Sequence, residues 1–361
     1  MKLFLCGDVM TGRGIDQILP APCDPALDEP WVKDARDYVA LAERRNGAIR
    51  RPVQPPYVWG EALAELARER PEARIANLET AVTTSDDREP KGINYRMNPA
   101  NVGCLLAARL DCCVLANNHV LDWGAKGLEE TLATLRRAGI ATAGAGRDAA
   151  EAEAPAAIAR EGGRRLLVFA YAHESAGVPP HWAASADRPG IARLPDLSAN
   201  TADAIAARIA AARRPGDRAI VSLHWGPNWG WRIARERRDF ARRLIDAGAV
   251  ELVHGHSSHH PGPFEIYRGR LILYSCGDLI NDYEGISGHE AFRPELALMY
   301  FPTLEEPGGR LLALEMTPMR MRRLRLERAN AEEAEWLART LARESGVPIS
   351  RLPDGRLIAR L

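Results

Sequence analysis

The feature that most constrains the fold is a run of histidines directly after an apolar segment. Four of the nine histidines fall within residues 254–260, and they follow the sequence AVELV at 249–253. The apolar segment predicts a short buried strand that ends in a loop. Imidazoles crowded at one strand end repel one another when protonated, so they gain most as neutral ligands of a shared divalent cation. The run therefore indicates a metal-binding turn; the alternative is a set of solvated loop histidines.

An apolar strand that ends on polar residues recurs along the chain. Strands of this kind are predicted over 2–6, 73–76, 111–116 and 218–223. The polar residues that follow them are Asp8, Glu79, Asn118, His119 and His224. Segments with helical spacing separate the strands, which predicts an α/β fold with its ligands at the open edge of a sheet.

Each of these residues also has a structural explanation. Asp8 could cap a helix, Asn118 could form a turn, and His224 could pack beside Trp225. The repetition favours the functional interpretation, because carboxylate, amide oxygen and imidazole donors together suit Mn²⁺, Zn²⁺, Fe or Mg²⁺. We therefore expect a divalent metal ion at the sheet edge and no iron–sulfur cluster.

Charge and cysteine content exclude several classes of protein. Lys plus Arg and Asp plus Glu are equal at 48 each, so no net charge favours nucleic acid or an anionic membrane. The six cysteines form no CxxC pair, so we expect reduced thiols in the core. No segment is apolar over the length of a membrane span, and residues 1–6 are too short for the apolar region of a signal peptide, so a cytoplasmic protein is expected.

The chain is expected to form one large domain over residues 1–325, with a C-terminal helix and tail, residues 326–361, packed on it. Two proline-containing, weakly periodic stretches, 20–58 and 173–197, are interpreted as inserted loops that act as a lid. His173 and His181 fall in the second stretch and are interpreted as surface or substrate-contact residues. Strands of a second sheet are predicted over 296–301, 311–316 and 320–326.

Several segments resemble the CapA family of capsule and poly-γ-glutamate biosynthesis proteins, within the calcineurin-like metallophosphatase superfamily. The most specific is the Asn-Asn-His-x-x-Asp-x-Gly run at 117–124. The weaker segments, in family order, are GDVM at 7–10, NLE at 77–79, HWG at 224–226, GHSSH at 255–259 and ILYSCGD at 272–278. The resemblance covers about residues 1–300 and implies a four-layer αββα sandwich of two mixed sheets with a metal centre at the sheet edges.

The resemblance also implies two sets of metal ligands. One site corresponds to Glu79, Asn118, His224 and His256. The second site corresponds to Asp8, Glu79 and His259. Met10 stands where the second site has a histidine, and a thioether is a poor ligand for a hard or borderline cation. We therefore predict one strong metal site and a second that is weak or empty. Either Asn77 or Glu79 could be the bridging ligand, and charge favours Glu79.

The remaining roles concern proton transfer and substrate binding. His119 takes the place of the superfamily's general acid, and Asp122 is close enough to orient its imidazole if the turn is helical. Arg13 is predicted to bind an anionic substrate group, with a surface arginine as the alternative. These roles imply a hydrolase that acts on a peptide, a poly-γ-glutamate-type polymer or a phosphoester through metal-activated water.

Two other functions stay open. One is a cofactor-independent, metal-dependent peptide epimerase, in which His119 and His259 exchange the α-proton from opposite faces. The other is a non-catalytic scaffold in capsule polymer assembly. All three functions imply a peptide or an anionic polymer as the partner, and none implies nucleic acid or a membrane.

Overall fold

Two large mixed β-sheets, two small two-stranded sheets and flanking helices make up the structure, a computed structural model that describes residues 1–361. The strands are β1 Leu3–Val9, β2 Ala73–Leu78, β3 Ala81–Val82, β4 Arg96–Met97, β5 Cys112–Val114, β6 Ala141–Ala143, β7 Ala145–Gly146, β8 Ala156–Ala159, β9 Arg165–Ala172, β10 Gly190–Ile191, β11 Arg218–His224, β12 Leu252–His256, β13 Phe264–Tyr267, β14 Arg270–Leu273, β15 Asp278–Ile280, β16 Leu296–Leu304, β17 Leu311–Met321, β18 Leu326–Arg328, β19 Ile349–Arg351 and β20 Leu357–Ala359. The α-helices are α1 Gly14–Ile18, α2 Arg36–Asn46, α3 Ala62–Glu69, α4 Gly103–Ala107, α5 Gly124–Arg137, α6 Ala149–Glu153, α7 Ala199–Ala212, α8 Arg235–Asp246 and α9 Ala331–Ser345. The two small sheets pair β3 with β4 and β7 with β10.

The larger sheet has ten strands. Eight follow the order β19-β20-β17-β16-β1-β2-β5-β6, with β15 beside β1 and β18 beside β17. Strand β1 runs parallel to β2 and β15 but antiparallel to β16, so the sheet is mixed. The carboxyl ends of β1, β2 and β5 meet at one edge, where an α/β protein binds its ligands.

The smaller sheet has six strands in the order β13-β14-β12-β11-β9-β8. Strands β9, β11, β12 and β14 are parallel, whereas β8 and β13 at the two edges are antiparallel to their neighbours. The pairing of β13 with β14 is the hairpin that the sequence indicates. The prediction of an α/β fold with two mixed sheets is confirmed.

Alternation along β11 decides which of its side chains reach the space between the sheets. Ala219, Val221 and Leu223 pack in a cluster with α7 and α8 on the outside. The alternate residues Ile220, Ser222 and His224 point to the other face, towards the larger sheet, because successive side chains of a strand alternate. Helix α5 packs against β6 of the larger sheet and against the short strand β3. The order is therefore helices, sheet, sheet, helices.

The structure differs from the sequence interpretation in three elements. Within 20–58, residues 36–46 form α2, which buries Tyr38, Val39 and Ala42. The charged residues around these three make the helical pattern hard to recognise in the sequence. Strands β16 and β17 do not form a second sheet, since β16 pairs with β1. The strand predicted over 320–326 breaks after Met321, because residues 323 and 324 turn with positive φ of 56° and 53°.

The C-terminal segment contains more strand than predicted. Helix α9 begins with a reciprocal cap between Asn330 and Glu333, and it is followed by β19 and β20, which extend the larger sheet beyond β17. The division of the chain at residue 325 stays a prediction. All six cysteines are free, as expected, and five are buried. None of the helices has the length and apolar character needed to cross a membrane, and the location of the protein in the cell stays a prediction.

Candidate metal centre

Three strand ends bring together Asp8 of β1, His224 of β11 and His256 of β12. One donor atom from each lies within 4.8 Å of the other two, and all three residues are buried. Register explains the histidine pair, because His224 and His256 are direct partners in the parallel ladder of β11 and β12. Their Nδ1 atoms are 2.8 Å apart, and Nδ1 of His256 is 3.8 Å from Oδ1 of Asp8.

Glu79 and Asn118 adjoin this triad. Oδ1 of Asn118 lies 3.0 Å from Nε2 of His224, and Oε1 of Glu79 lies 3.9 Å from the same nitrogen. We call these five residues, Asp8, Glu79, Asn118, His224 and His256, the donor cluster. Asp8, which the resemblance assigns to the second site, thus lies with the residues of the first.

The geometry distinguishes Asn77 from Glu79. Nδ2 of Asn77 donates to Oδ1 of Asp8 at 2.7 Å, and its Oδ1 accepts from Nδ2 of Asn117 at 3.0 Å. The amide nitrogen and the amide oxygen of Asn77 are therefore both engaged in hydrogen bonds within the protein. Glu79 directs Oε1 towards the histidines, which favours Glu79 as the ligand.

Buried carboxylates dominate the electrostatics of this sheet edge. Burial, reinforced by the carboxylate of Asp278, raises the pKa of Asp8 to about 7. Burial and the neighbouring Asp8 raise the pKa of Glu79 well above its usual value. Negative charges gathered out of water destabilise one another, and a bound divalent cation would relieve this repulsion.

A chain of buried hydrogen bonds determines which nitrogen of His256 is free. Burial lowers the pKa of His254 to about 4, so its ring is neutral. The carbonyl of Cys6 can only accept, so His254 Nε2 donates to it at 2.8 Å. His254 Nδ1 then accepts from Oγ of Ser222 at 3.1 Å, and that Oγ accepts from His256 Nε2 at 2.8 Å. His256 consequently presents an unprotonated Nδ1 to the donor cluster.

His224 supplies a test of whether a cation fits. Its Nε2 faces Oδ1 of Asn118, and its Nδ1 faces the unprotonated Nδ1 of His256. Burial lowers the pKa of His224 well below its usual value, and a neutral imidazole donates from only one nitrogen. In one of these two contacts, therefore, an unprotonated nitrogen of His224 faces a second atom that carries a lone pair and no proton. A cation bound by those lone pairs removes the conflict, and the mixed oxygen and nitrogen donors suit a divalent transition metal or Mg²⁺.

His119 lies beside the donor cluster, between Asp122 and Glu79. Its Nδ1 is 2.6 Å from Oδ2 of Asp122, and its Nε2 is 3.8 Å from Oε1 of Glu79. Burial lowers the pKa of His119 to about 4. Lys91 donates to Oδ1 of Asp122 at 2.7 Å and to the carbonyl of Asn118. No sequence pattern marks this lysine, so its role at the site emerges only from the fold.

His259 lies outside the triad. Its Nδ1 is 3.1 Å from Oδ1 of Asp278, and its ring stands edge-on to Tyr283. The hydroxyl of Tyr283 in turn donates to the sulfur of Met10 at 3.8 Å. Asp278 has no role in the sequence interpretation, although it follows an apolar strand in the same way as the other site residues. A weak or empty second metal site stays a prediction.

Arg13 is enclosed by acidic and aromatic side chains. Only 4% of its surface is exposed, and it forms ion pairs with Asp282 and Glu29 at 2.5 and 2.9 Å. Nη1 also donates to the hydroxyl of Tyr38. The alternative of a surface arginine is therefore wrong. The positive charge of the Arg13 guanidinium is already neutralised by the two carboxylates. Its predicted contact with an anionic substrate stays a prediction.

The two loop histidines lie apart from the donor cluster. His173 is buried and contacts Oγ of Ser175 through Nδ1 at 2.9 Å. His181 is exposed and pairs with Glu89. The surface interpretation is therefore correct for His181 and wrong for His173, which is buried. A contact of either residue with substrate stays a prediction.

Comparison with known proteins gives consistent matches. The family described as bacterial capsule synthesis protein PGA_cap matches residues 2–283. A probable polyglutamine synthesis accessory protein of Mycobacterium tuberculosis is 49% identical over 364 residues, which cover 99% of this chain and 95% of that protein. The PGA biosynthesis protein CapA of Bacillus subtilis is 27% identical over 208 residues, 57% of this chain and 52% of its own length. The capsule biosynthesis protein CapA of Bacillus anthracis is 27% identical over 215 residues, 57% of this chain and 49% of its own length.

Proposed function

Because the chain belongs to the PGA_cap family of bacterial capsule synthesis proteins, we propose that it is a metal-dependent hydrolase. Its substrate is a peptide or poly-γ-glutamate-type polymer, or a phosphoester. The observation that carries this proposal is the convergence of the donor cluster from five separate segments, with the His119–Asp122 pair beside it. The names of the relatives in capsule and polyglutamine synthesis support the polymer as the first choice of substrate.

The donor cluster provides the residues that would hold the metal. A divalent cation bound there supplies Lewis-acid chemistry, since it polarises a carbonyl or phosphoryl oxygen and lowers the pKa of water. Asp8 is held in place by Asn77 and by the backbone N–H of Ser257, which donates to Oδ2 at 3.2 Å. Ser222 fixes the ring of His256. Such supporting contacts orient ligands and keep the imidazoles in the metal-binding tautomer.

His119 is the residue proposed to move a proton. Asp122 engages its Nδ1, so Nε2 is the nitrogen that faces the donor cluster. Asp122 is itself fixed by Lys91 and by the backbone N–H of Tyr95, which donates at 2.6 Å. The imidazole therefore has one orientation, and an oriented base or acid is more effective than a freely rotating one.

A cleft beside the site supports access for an extended substrate. Its volume is about 230 Å³, and its walls include Tyr95, Trp229, His259 and Tyr283. Tyr95 stands edge-on to the ring of His119. The cleft thus reaches His259 and the Tyr95 ring that flanks His119.

A second candidate is the metal-dependent peptide epimerase. It is favoured by a second histidine–carboxylate pair, His259 with Asp278, which corresponds to the pair of His119 with Asp122. The hydroxyls of Tyr95 and Tyr283 are 3.1 Å apart and join the two pairs through their flanking rings. Exchange of an α-proton needs two such bases, one on each face of the substrate carbon.

One experiment separates these functions. Protein stripped with a chelator and reloaded with Mn²⁺ or Zn²⁺ is incubated in D₂O with p-nitrophenyl phosphate, a γ-glutamyl peptide and an α-peptide. Release of phosphate or peptide cleavage supports the hydrolase, and deuterium at Cα without cleavage supports the epimerase. His119→Ala should abolish either activity, whereas His181→Ala, an exposed histidine, should leave it unchanged. If loaded protein gives neither product, the enzyme proposal fails in favour of a scaffold in polymer assembly.

A further inference from the structure

Arg237 is a buried arginine without a carboxylate partner. Three arginines in the chain are buried, with 4% of Arg13, 7% of Arg96 and 6% of Arg237 exposed. Arg13 pairs with two carboxylates and Arg96 pairs with Asp86 at 2.9 Å. Arg237 makes one long hydrogen bond, from Nη2 to the carbonyl of Arg232 at 3.4 Å. A buried guanidinium without a counter-charge is costly, so this position calls for an anion.

The guanidinium of Arg237 opens into a cavity of about 680 Å³. It lies directly against Gly226, where a Cβ atom would be 2.0 Å from Nη1, and Gly226 has a φ of +89°. Only glycine combines this conformation with so close an approach. The cavity wall also carries Arg232, Arg235 and the hydroxyl-bearing Ser175. Space and positive charge are therefore found at the same place.

The charge balance of the wall favours an anion. Its acidic residues are Glu236 and Asp239, both exposed, and Asp239 pairs with Arg235 at 3.3 Å. The three arginines therefore outnumber the carboxylates. Neither acid forms an ion pair with Arg237, so its charge is not neutralised from the wall.

The N-terminus of α8 adds to this field. The helix begins at Arg235, and the preceding Ala234 offers no side chain to cap its first amides. Free N–H groups at a helix N-terminus attract anions through their partial positive charge. Arg237 lies in this first turn, so its guanidinium and the helix terminus act on the same space.

We propose that this cavity is an oxyanion-binding site that takes a carboxylate or phosphate group, with Arg237 as its central residue. The bidentate fork of arginine suits both groups. The site adjoins the donor cluster: Gly226 is two residues from His224, and Ser257, next to His256, donates Oγ to the carbonyl of Gly226 at 3.2 Å. It uses no residue of the donor cluster, so its existence does not depend on metal binding.

The test measures anion binding by isothermal titration calorimetry in a zwitterionic buffer, with inorganic phosphate and glutarate as separate probes. Wild type should bind at least one probe saturably, and the tighter one identifies the group that the site takes. Arg237→Met should weaken that binding about tenfold or more, because an arginine–oxyanion pair is lost. Arg238→Met removes the same charge from an exposed position on the same helix, outside the cavity wall, and should bind as wild type.

A second variant tests the proposal if Arg237→Met does not fold. The double substitution Arg232→Met and Arg235→Met changes only exposed side chains of the wall and should also weaken binding. Absence of saturable binding to either probe in wild type overturns the proposal. Equal loss in Arg238→Met and in the cavity variants overturns it too, because the effect would then come from general charge.

Discussion

The Nδ1 atoms of His224 and His256 lie 2.8 Å apart because their strands are parallel neighbours and the two residues are paired in register. Two residues earlier in each strand, Ser222 and His254 occupy the same face and hydrogen-bond to each other. The period of two in a β-strand therefore places Ser222 and His254 beneath the histidine pair of the donor cluster. The site is a direct product of sheet register, and this relationship leads to the first prediction.

Ser222→Ala should weaken metal binding. The substitution removes the hydroxyl that accepts from Nε2 of His256, so Nδ1 of that ring is no longer held unprotonated. Loss of a contact that orients a metal ligand typically costs about 10- to 100-fold in affinity. A competition titration against a chromogenic chelator measures the change. Ser222→Thr keeps the hydroxyl and should restore most of the affinity; equal affinity in Ser222→Ala and wild type would remove the role assigned to this chain of hydrogen bonds.

Asp122→Asn should lower turnover and leave metal content unchanged. The amide keeps the size of the carboxylate, but its nitrogen or oxygen meets Nδ1 of His119 without a negative charge, and its contact with Lys91 weakens. Loss of a positioned acid or base typically costs about 10²- to 10⁴-fold in rate. Steady-state kinetics on whichever of the three test substrates the protein turns over, together with elemental analysis, measures both quantities. Asp187→Asn on the exposed loop is the control, and a parallel loss of metal would show that Asp122 instead maintains the metal site.

Arg13→Met should destabilise the fold. The substitution leaves Asp282 and Glu29 buried without their cation. Breaking a buried ion pair by removing one partner costs about 3 to 5 kcal/mol of unfolding free energy. Urea denaturation measures this loss against Arg44→Met, an exposed arginine whose replacement should change stability by less than about 0.5 kcal/mol. Normal stability with impaired substrate binding would favour the anion-binding role predicted from the sequence.

Removal of the metal should lower the thermal unfolding midpoint. A ligand that binds only the folded state stabilises it, by about 2.7 kcal/mol at a free concentration 100 times its Kd. A bound cation would also relieve the repulsion between Asp8 and Glu79, whose pKa values are raised by burial. Thermal unfolding with excess Mn²⁺ or Zn²⁺ and with chelator measures the shift. His224→Ala should show no shift on adding metal, and a shift as large as that of wild type would indicate that the metal binds elsewhere.

The sequence predicts the strands of the site well, because each is an apolar run that ends on a polar residue. This regularity points to Asp8, Glu79, Asn118, His119 and His224, and the histidine run adds His256 and His259. It does not separate the members of the donor cluster from His119 and His259. It does not reveal pairing between distant segments, so the antiparallel addition of β16 to β1 cannot be inferred from it. Helix α2 is not predicted, because its apolar stripe is short and its other residues are mostly charged.

Residues that support the donor cluster are harder to infer than the members of the cluster. Lys91 lies in a loop without any periodic pattern, and only the folded chain brings its ammonium to Asp122. Ser222 is a single hydroxyl within an apolar strand, where sequence alone suggests packing. Arg13 follows Asp8 in a glycine-containing loop typical of anion sites. It is nevertheless enclosed by Glu29 from the 20–58 stretch and by Asp282, which is 269 positions further along the chain. The partners of all three residues are fixed by tertiary structure.

The donor cluster is proposed to bind one metal ion through Asp8, His224 and His256, and the proposed chemistry depends on this ion. Anomalous diffraction from crystals grown with Mn²⁺ or Zn²⁺, recorded on both sides of the metal absorption edge, tests it most directly. We predict an anomalous peak at about 2.0 to 2.3 Å from one donor atom of each of these three residues. No peak there, or a peak bound only by other residues, would contradict it.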